Sequence, residues 1–144
     1  MPSPKQGVSR DGQPMHYAVG AVIKQEGKFL LIDRAIFPYG FAGVAGHVDE
    51  GESPEEAVRR EIREEMGLTL DGNVLIHEEE LAWTYPCSRG IFVHYWHMYA
   101  CSVSGMPAPS IREVKSFGWF GLEEVKNLPL EPIWEYVMKT LKLL

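Results

Sequence analysis

One segment, residues 53–67, constrains the fold more than any other part of the 144-residue chain. It opens with Ser53-Pro54-Glu55-Glu56. This pattern predicts a helix start, because serine suits the N-cap, proline suits the first helical position, and a glutamate three residues after the serine closes a capping box. Gly67 suits the helix end, since glycine readily adopts the left-handed conformation of a C-cap. The segment therefore predicts one helix with both ends defined.

The glutamates of this helix are placed badly for stability alone. Glu61, Glu64 and Glu65 fall at i, i+3 and i+4, so they share one helical face. Like charges at this spacing destabilise a helix by about 0.2–0.5 kcal/mol per pair, and Glu64 and Glu65 also lie at the negative end of the helix dipole. The predicted last helix, residues 132–144, instead carries Lys139 and Lys142 near its end. The contrast favours a bound hard cation, Mg²⁺ or Mn²⁺, at the acidic face.

A solvated acidic face is the ordinary alternative for three glutamates on a helix. Here it is disfavoured because Arg59, Arg60 and Arg63 are interleaved with the acids and a glycine-bearing loop precedes the helix. An apolar stripe also lies beside the acidic one, made of Val58, Ile62 and Met66.

The 23 residues from Gly46 to Leu68 resemble the Nudix box, G-x5-E-x7-R-E-U-x-E-E-x-G-U with U aliphatic, at every defined position. The resemblance implies an α/β/α sandwich around a central mixed β-sheet, of the α+β type. It also implies a Mg²⁺-dependent, MutT-like hydrolase, with Mn²⁺ as a substitute, that cleaves a pyrophosphate bond of a nucleoside diphosphate linked to another moiety. The substrate is then a small nucleotide.

The same resemblance implies roles for individual box residues. Glu64 and Glu65 match the core metal ligands, and Glu61 matches the glutamate that binds a second metal or positions or deprotonates water. Arg60 matches the arginine that orients a catalytic carboxylate. Glu52 matches its partner or an outer ligand, although a purely helix-anchoring Glu52–Arg60 ion pair is the alternative.

Two further metal contacts are implied beside the helix. The backbone carbonyl of Ala45 matches a common ligand, although this chain reads Val44-Ala45-Gly46 where many members have Pro-Gly-Gly. Glu113, which enters a predicted strand over residues 114–120, matches an additional glutamate that binds metal or serves as base, with a solvated loop acid as the alternative.

Aromatic residues supply candidates for substrate contacts. Phe37, Tyr39 and Phe41 lie in the approach to the box and are predicted to line its entrance. The aromatics of the predicted strands (Trp83, Tyr85, Trp96 and Trp119) could stack on a base, but aromatic residues in strands are mostly core, and core is the prediction for them. His77, His94 and His97 lack metal-ligand spacing and are interpreted as ordinary core or surface histidines.

Charge and composition exclude several classes. The net charge is −6, and the box holds eight acids against three arginines, so the acidity belongs to the predicted site. No basic stripe is present, which argues against nucleic-acid binding, and no apolar run approaches the roughly 20 residues of a membrane helix. The two isolated cysteines, Cys87 and Cys101, predict reduced thiols in a cytoplasmic protein. The sequence leaves a homodimer possible.

The remaining pattern predicts one domain. Residues 1–14 are polar and proline-bearing and predict a flexible tail, and residues 15–144 predict a single Nudix domain. Residues 17–24 and 29–32 flank Gly27 and predict a hairpin. Further strands are predicted over 41–48, 74–85, 91–103 and 114–120, and helical segments over 122–127 and 132–144.

Three function classes follow from these features. A hydrolase is favoured, with a slight preference for a nucleoside triphosphate pyrophosphohydrolase over an ADP-ribose, ADP-sugar or dinucleoside polyphosphate pyrophosphatase. A non-catalytic nucleotide-binding module is disfavoured by the intact glutamates Glu61, Glu64 and Glu65. An isopentenyl-diphosphate-isomerase-like enzyme is disfavoured because neither Cys87 nor Cys101 lies in a matching context.

Overall fold

Strand β2 organises the sheet in the computed structural model, which describes residues 3–144. It pairs with β7 in parallel and with β1, β3 and β5 in antiparallel orientation, so the eight-stranded sheet is mixed. The strands are β1 (Gln6–Val8), β2 (Pro14–Gln25), β3 (Lys28–Arg34), β4 (Phe41–Ala42), β5 (Val44–His47), β6 (Thr69–Ala82), β7 (Val93–Ser104) and β8 (Val114–Gly121). The helices are α1 (Pro54–Met66), α2 (Leu122–Val125) and α3 (Pro132–Thr140).

Helix α1 begins and ends as its sequence predicts. The Ser53 side chain accepts a hydrogen bond from the Glu56 backbone N–H, and the Glu56 side chain accepts one from the Ser53 N–H, which completes the capping box. Gly67 closes the helix with φ of 67°, a left-handed conformation that costs glycine little. The two ends hold the glutamate face of α1 in a fixed register against the sheet.

The helices cover both faces of the sheet. Alternate residues of β2, such as Val19 and Ala21, face α1 and form one buried cluster with Val58 and Ile62. The other face forms a second cluster with α3, in which Trp134, Val137 and Met138 are buried. The predicted α/β/α sandwich with a mixed sheet is therefore confirmed.

The segment that was predicted as a flexible tail is paired in the sheet over part of its length. Strand β1 is antiparallel to the start of β2, and the Lys5 N–H donates to the Val48 carbonyl. A turn at Gly12, with φ of 79°, connects the two strands. The polar, non-alternating residues of this segment gave no strand signal, because the pairing is made by backbone groups. Met1 and Pro2 lie outside the described residues.

The other elements differ from their predicted bounds mainly at the ends. The β2–β3 hairpin is present, and Glu26 and Gly27 both have positive φ in its turn. The last helix ends at Thr140, so Lys139 lies in its last turn whereas Lys142, with φ of 58°, lies beyond it. Within residues 3–144, no helix is long and apolar enough to span a membrane.

Candidate active site

Arg60 is the centre of a carboxylate network on α1. Its Nε lies 2.8 Å from Glu52 Oε2, its Nη1 lies 2.7 Å from Glu61 Oε1, and its Nη2 donates to the His47 carbonyl at 2.8 Å. Glu64 Oε2 is 3.1 Å from the same Nη1. The hydrogen bond from Arg60 lowers the pKa of Glu52, and that bond together with the neighbouring carboxylates raises the pKa of Arg60. The guanidinium therefore stays charged and fixes the orientation of Glu61.

The half-buried Glu61 and the buried Glu65 form a carboxyl pair one helical turn apart. The Glu65 side chain belongs to a residue only 4% exposed, and its carboxyl group is within hydrogen-bonding reach of Glu61. Burial raises the pKa of both groups, and for Glu65 the hydrogen bond to Glu61 raises it further. Without a cation, burial and the neighbouring Glu61 therefore favour the protonated form of the Glu65 carboxyl, which can donate a hydrogen bond to Glu61.

The close approach of Gly46 to Glu61 is part of this geometry. A Cβ atom at position 46 would overlap the Glu61 carboxyl group. Gly46 lies in β5, where it pairs with Val19 of β2. The glycine that opens the box is therefore needed because only a residue without a side chain lets the carboxylate lie against the strand.

One oxygen of this carboxyl pair, Glu65 Oε2, is buried, and no hydrogen-bond donor within residues 3–144 reaches it. Buried carboxylate oxygens without a partner are costly, and carboxylates are the ligands that Mg²⁺ prefers. The oxygen-rich donor set at Glu61 and Glu65 thus fits a hard divalent cation.

A cavity of about 390 Å³ opens above this carboxyl pair. Of the residues predicted for the site, Ala45, Glu61, Glu65, Glu113 and Phe37 line it. The lining does not include the other predicted residues: Glu52, Arg60, Glu64, Tyr39 and Phe41.

The predicted residues outside the lining have other surroundings. Glu64 is half exposed and pairs with Arg60. Tyr39 is 60% exposed, and Phe41 packs against Phe120 beside the α3 cluster. Of the three aromatics predicted at the entrance, the structure therefore brings only Phe37 to the cavity.

Aromatic residues that the sequence assigned mainly to the core form the cavity wall instead. Trp83, Tyr85 and Trp96 line it together with Trp134. Phe37 contacts Tyr85 edge to face, with ring centroids 5.2 Å apart. Trp96 Nε1 is buried and has no hydrogen-bond acceptor among residues 3–144. Trp119, by contrast, packs against the α1-side core as predicted.

Two arginines bring positive charge to the cavity. Arg34 of β3 and Arg89 of the β6–β7 loop both line it. The Arg34 Nε donates to the Pro38 carbonyl at 2.7 Å, which fixes the side chain near Glu65. The cavity thus combines a cation site, aromatic surfaces and guanidinium groups.

Sequence reasoning missed a cluster of His16, His47, Cys87 and His94 in the same region. One ligand atom from each residue lies within 4.8 Å of all the others. Burial lowers the pKa of His47 and of His94 to about 4, so both imidazoles are neutral near pH 7. These residues are far apart in the chain, and no local spacing could have indicated their proximity.

Comparison with known proteins identifies the family of this chain. The NUDIX domain model matches residues 14–141. The nucleoside triphosphatase NudI of Klebsiella pneumoniae is 31% identical over 121 residues, covering 76% of this chain and 84% of NudI. The NAD-capped RNA hydrolase NudC of Pseudomonas aeruginosa is 31% identical over 112 residues, covering 76% of this chain but only 38% of NudC.

Solved structures show the same architecture. The MutT NUDIX hydrolase from Burkholderia pseudomallei superimposes with a TM-score of 0.75 at 27% identity, covering 87% of this chain and 96% of that one. The box, its carboxyl pair, the cavity above it and the match over nearly the whole chain lead to one assignment. The chain belongs to the Nudix family of pyrophosphohydrolases.

Proposed function

We propose that this protein is a Mg²⁺-dependent pyrophosphohydrolase of nucleoside triphosphates, which releases a nucleoside monophosphate and pyrophosphate. The observation that carries the proposal is the Glu61–Glu65 pair, which lines a cavity with aromatic walls and in which the buried Glu65 Oε2 has no hydrogen-bond donor within residues 3–144. These features support binding of a hard cation beside a nucleotide.

The residues of the site have different roles in cation binding and positioning. Glu65 and Glu61 hold the cation, with Glu64, the Ala45 carbonyl and Glu113 as further ligands. The cation, when bound, neutralises phosphate oxygens and makes water more acidic. Arg60 holds Glu61 in position.

Phosphate and base have separate candidate contacts. Arg34 and Arg89 line the cavity beside the carboxylates and suit the phosphate oxygens, because a guanidinium binds phosphate in a bidentate manner. Trp83 and Tyr85 offer flat surfaces for stacking of a base. The buried Trp96 N–H would donate to an acceptor on the base.

A triphosphate is favoured over a dinucleotide by the extent of the similarity. The chain spans most of the length of NudI, whose name describes a nucleoside triphosphatase, but little more than a third of NudC, whose name describes an NAD-capped RNA hydrolase. The similarity thus extends over most of the length of the triphosphatase.

The decisive experiment is hydrolysis of a nucleotide panel with Mg²⁺ in ¹⁸O-labelled water. Nucleoside triphosphates should give monophosphate and pyrophosphate, with the label on a phosphate of one product. Faster cleavage of ADP-ribose to AMP and ribose 5-phosphate would replace the triphosphate assignment. Label only on a sugar hydroxyl, or orthophosphate as the first product from a triphosphate, would contradict the mechanism.

Variants connect the activity to the site. Glu65→Gln should lower turnover by several orders of magnitude, whereas Glu55→Gln, an exposed glutamate on the same helix, should retain it. Trp96→Phe keeps the ring but removes the N–H, and should raise KM more than it lowers kcat. An unchanged KM in this variant would contradict the base contact.

A further inference from the structure

We propose that His16, His47, His94 and Cys87 form a second, chemically distinct metal site that binds Zn²⁺ and ties the β6–β7 loop to the sheet. His47, Cys87 and His94 line the same cavity as Glu61 and Glu65, but the two sites share no ligand. It rests on strand register, on distances and on the donor types.

Strand register brings the three histidines to one face of the sheet. His16 of β2 is directly opposite His94 of the parallel strand β7. His47 of β5 is opposite Ala18 of β2, and Ala18 shares the face of His16 because side chains alternate along a strand. Three backbones within one sheet therefore fix the three imidazoles, without any contribution from a flexible loop.

Cys87 completes the cluster from the β6–β7 loop. The loop is closed by backbone hydrogen bonds from the Cys87 N–H to the Ile91 carbonyl and from the Gly90 N–H to the Cys87 carbonyl. This turn holds Cys87 Sγ 4.0 Å from His16 Nδ1. A metal bound here would join the loop to the centre of the sheet.

The distances are close to those of a tetrahedral site. Bond lengths of about 2.0–2.1 Å to nitrogen and 2.3 Å to sulfur place two nitrogens about 3.4 Å apart, and a nitrogen and a sulfur about 3.6 Å apart. His47 Nε2 and His94 Nε2 are 3.4 Å apart, and the widest separation among the four ligand atoms is within 4.8 Å. Small side-chain rotations would therefore close the site around an ion.

The polar contacts of the cluster are made within it. Among residues 3–144, the contacts that these ring nitrogens make with other side chains are the His47–His94 pair and the His16–Cys87 pair. No carboxylate pairs with them in this part of the chain. The centroids of the three imidazole rings are 5.2–6.0 Å apart. Their ring nitrogens therefore offer lone pairs that can coordinate a cation between them.

The donor set selects the metal. Imidazole and thiolate ligands suit Zn²⁺ and related transition metals, whereas the carboxylate site suits Mg²⁺. On binding, the Cys87 thiol would lose its proton to solvent, and the thiolate would offset half of the charge of the divalent ion. Four protein ligands leave no open position, which is typical of a structural site.

The test is titration of the reduced, metal-free protein with Co²⁺, a spectroscopic substitute for Zn²⁺, in excess Mg²⁺. One equivalent should produce the intense visible bands of tetrahedral Co²⁺ and a near-ultraviolet thiolate-to-cobalt charge-transfer band, and Zn²⁺ should abolish both. Absence of the tetrahedral bands, or their displacement by Mg²⁺, would overturn the proposal.

Variants assign the ligands. Cys87→Ser should remove the charge-transfer band, and His94→Gln should weaken Co²⁺ binding by more than the about 10–100-fold that loss of an outer-shell partner costs. The matched control is His97→Gln, on the same strand, where His97 Nδ1 instead contacts the Ala18 carbonyl. Circular dichroism establishes that each variant is folded. A charge-transfer band that persists in Cys87→Ser would refute the assignment.

A final variant tests whether this metal site is distinct from the catalytic one. Glu65→Gln removes a proposed Mg²⁺ ligand and should leave the Co²⁺ spectrum intact. Loss of the tetrahedral bands in Glu65→Gln would mean that the two sites are one, whereas loss of hydrolysis alone in that variant concerns only the proposed function.

Discussion

Replacing Glu65 with glutamine should stabilise the metal-free protein while it destroys activity. Glu65 is 4% exposed and its Oε2 has no donor among the described residues. Burial and Glu61 raise the pKa of the Glu65 carboxyl well above 4.5. The stability that the protonated group contributes is therefore fully present below pH 4.5 and is lost as the pH rises through the folded-state pKa.

Glutamine imitates the protonated carboxyl group at every pH, since it is neutral and can donate to Glu61. At pH 8 in EDTA, Glu65→Gln should raise the free energy of unfolding by on the order of 1–3 kcal/mol, which is the usual cost of an unsatisfied buried polar group. For a domain of this size, about 3 °C of Tm per kcal/mol converts this into a rise of about 3–9 °C. At pH 5 the difference in Tm between the variant and the parent should be smaller, because the Glu65 carboxyl of the parent is then closer to its protonated form.

The assay is thermal unfolding followed by circular dichroism at pH 5 and pH 8, with Glu55→Gln as control. Saturating Mg²⁺ should make the parent more stable than the variant at pH 8, because a ligand at a thousandfold excess over its Kd adds about 4.1 kcal/mol to the parent. A variant that melts below the parent in EDTA at pH 8 would show that the Glu65 carboxylate is a structural group.

Three further predictions concern the same fold. Arg60→Ala should lower the free energy of unfolding by about 1–3 kcal/mol, between the values for exposed and buried ion pairs, as measured by urea denaturation. Gly46→Ala should displace the Glu61 carboxyl group and lower kcat at least tenfold, as measured by steady-state kinetics with Mg²⁺. Burial raises the pKa of the Cys101 thiol to about 12. At pH 8, Cys87 should therefore react with a thiol reagent in the native, metal-free protein and Cys101 should not, whereas both thiols should react in urea.

Each of these predictions has a defined contrary result. An unfolding free energy within 0.5 kcal/mol of the parent, the usual range for surface substitutions, would mean that Arg60 adds little to stability. The control for Gly46→Ala is Gly72→Ala, where an added Cβ meets only Ser102 Oγ, at 3.1 Å. Equal activity in both variants would contradict the close-approach role. Two reactive thiols in the native protein would mean that Cys101 is accessible.

Local sequence determined α1 and its place in the site. The capping residues Ser53 and Gly67 act on backbone groups within one turn, and Glu61 and Glu65 share a face because of the helical period. The hairpin around Gly27 is equally local. Such features depend on neighbours along the chain, so the sequence alone could predict them.

Tertiary structure decided which side chains meet across the sheet. Phe37 reaches the cavity and Tyr39 does not, because loop geometry rather than composition sets their directions. Trp96 of β7 forms part of the cavity wall, although aromatic residues in strands are usually core. β1 pairs with β2 through backbone groups that carry no side-chain signal.

The histidine–cysteine cluster is the sharpest case. His16, His47 and His94 come from three strands and Cys87 comes from a loop, and only the pairing register of β2 with β5 and β7 brings them together. A shift of one residue in either pairing would turn a histidine to the opposite face. The sequence by itself determined the helix that carries the carboxylates, whereas the sheet decided what surrounds them, because register joins residues that are distant along the chain.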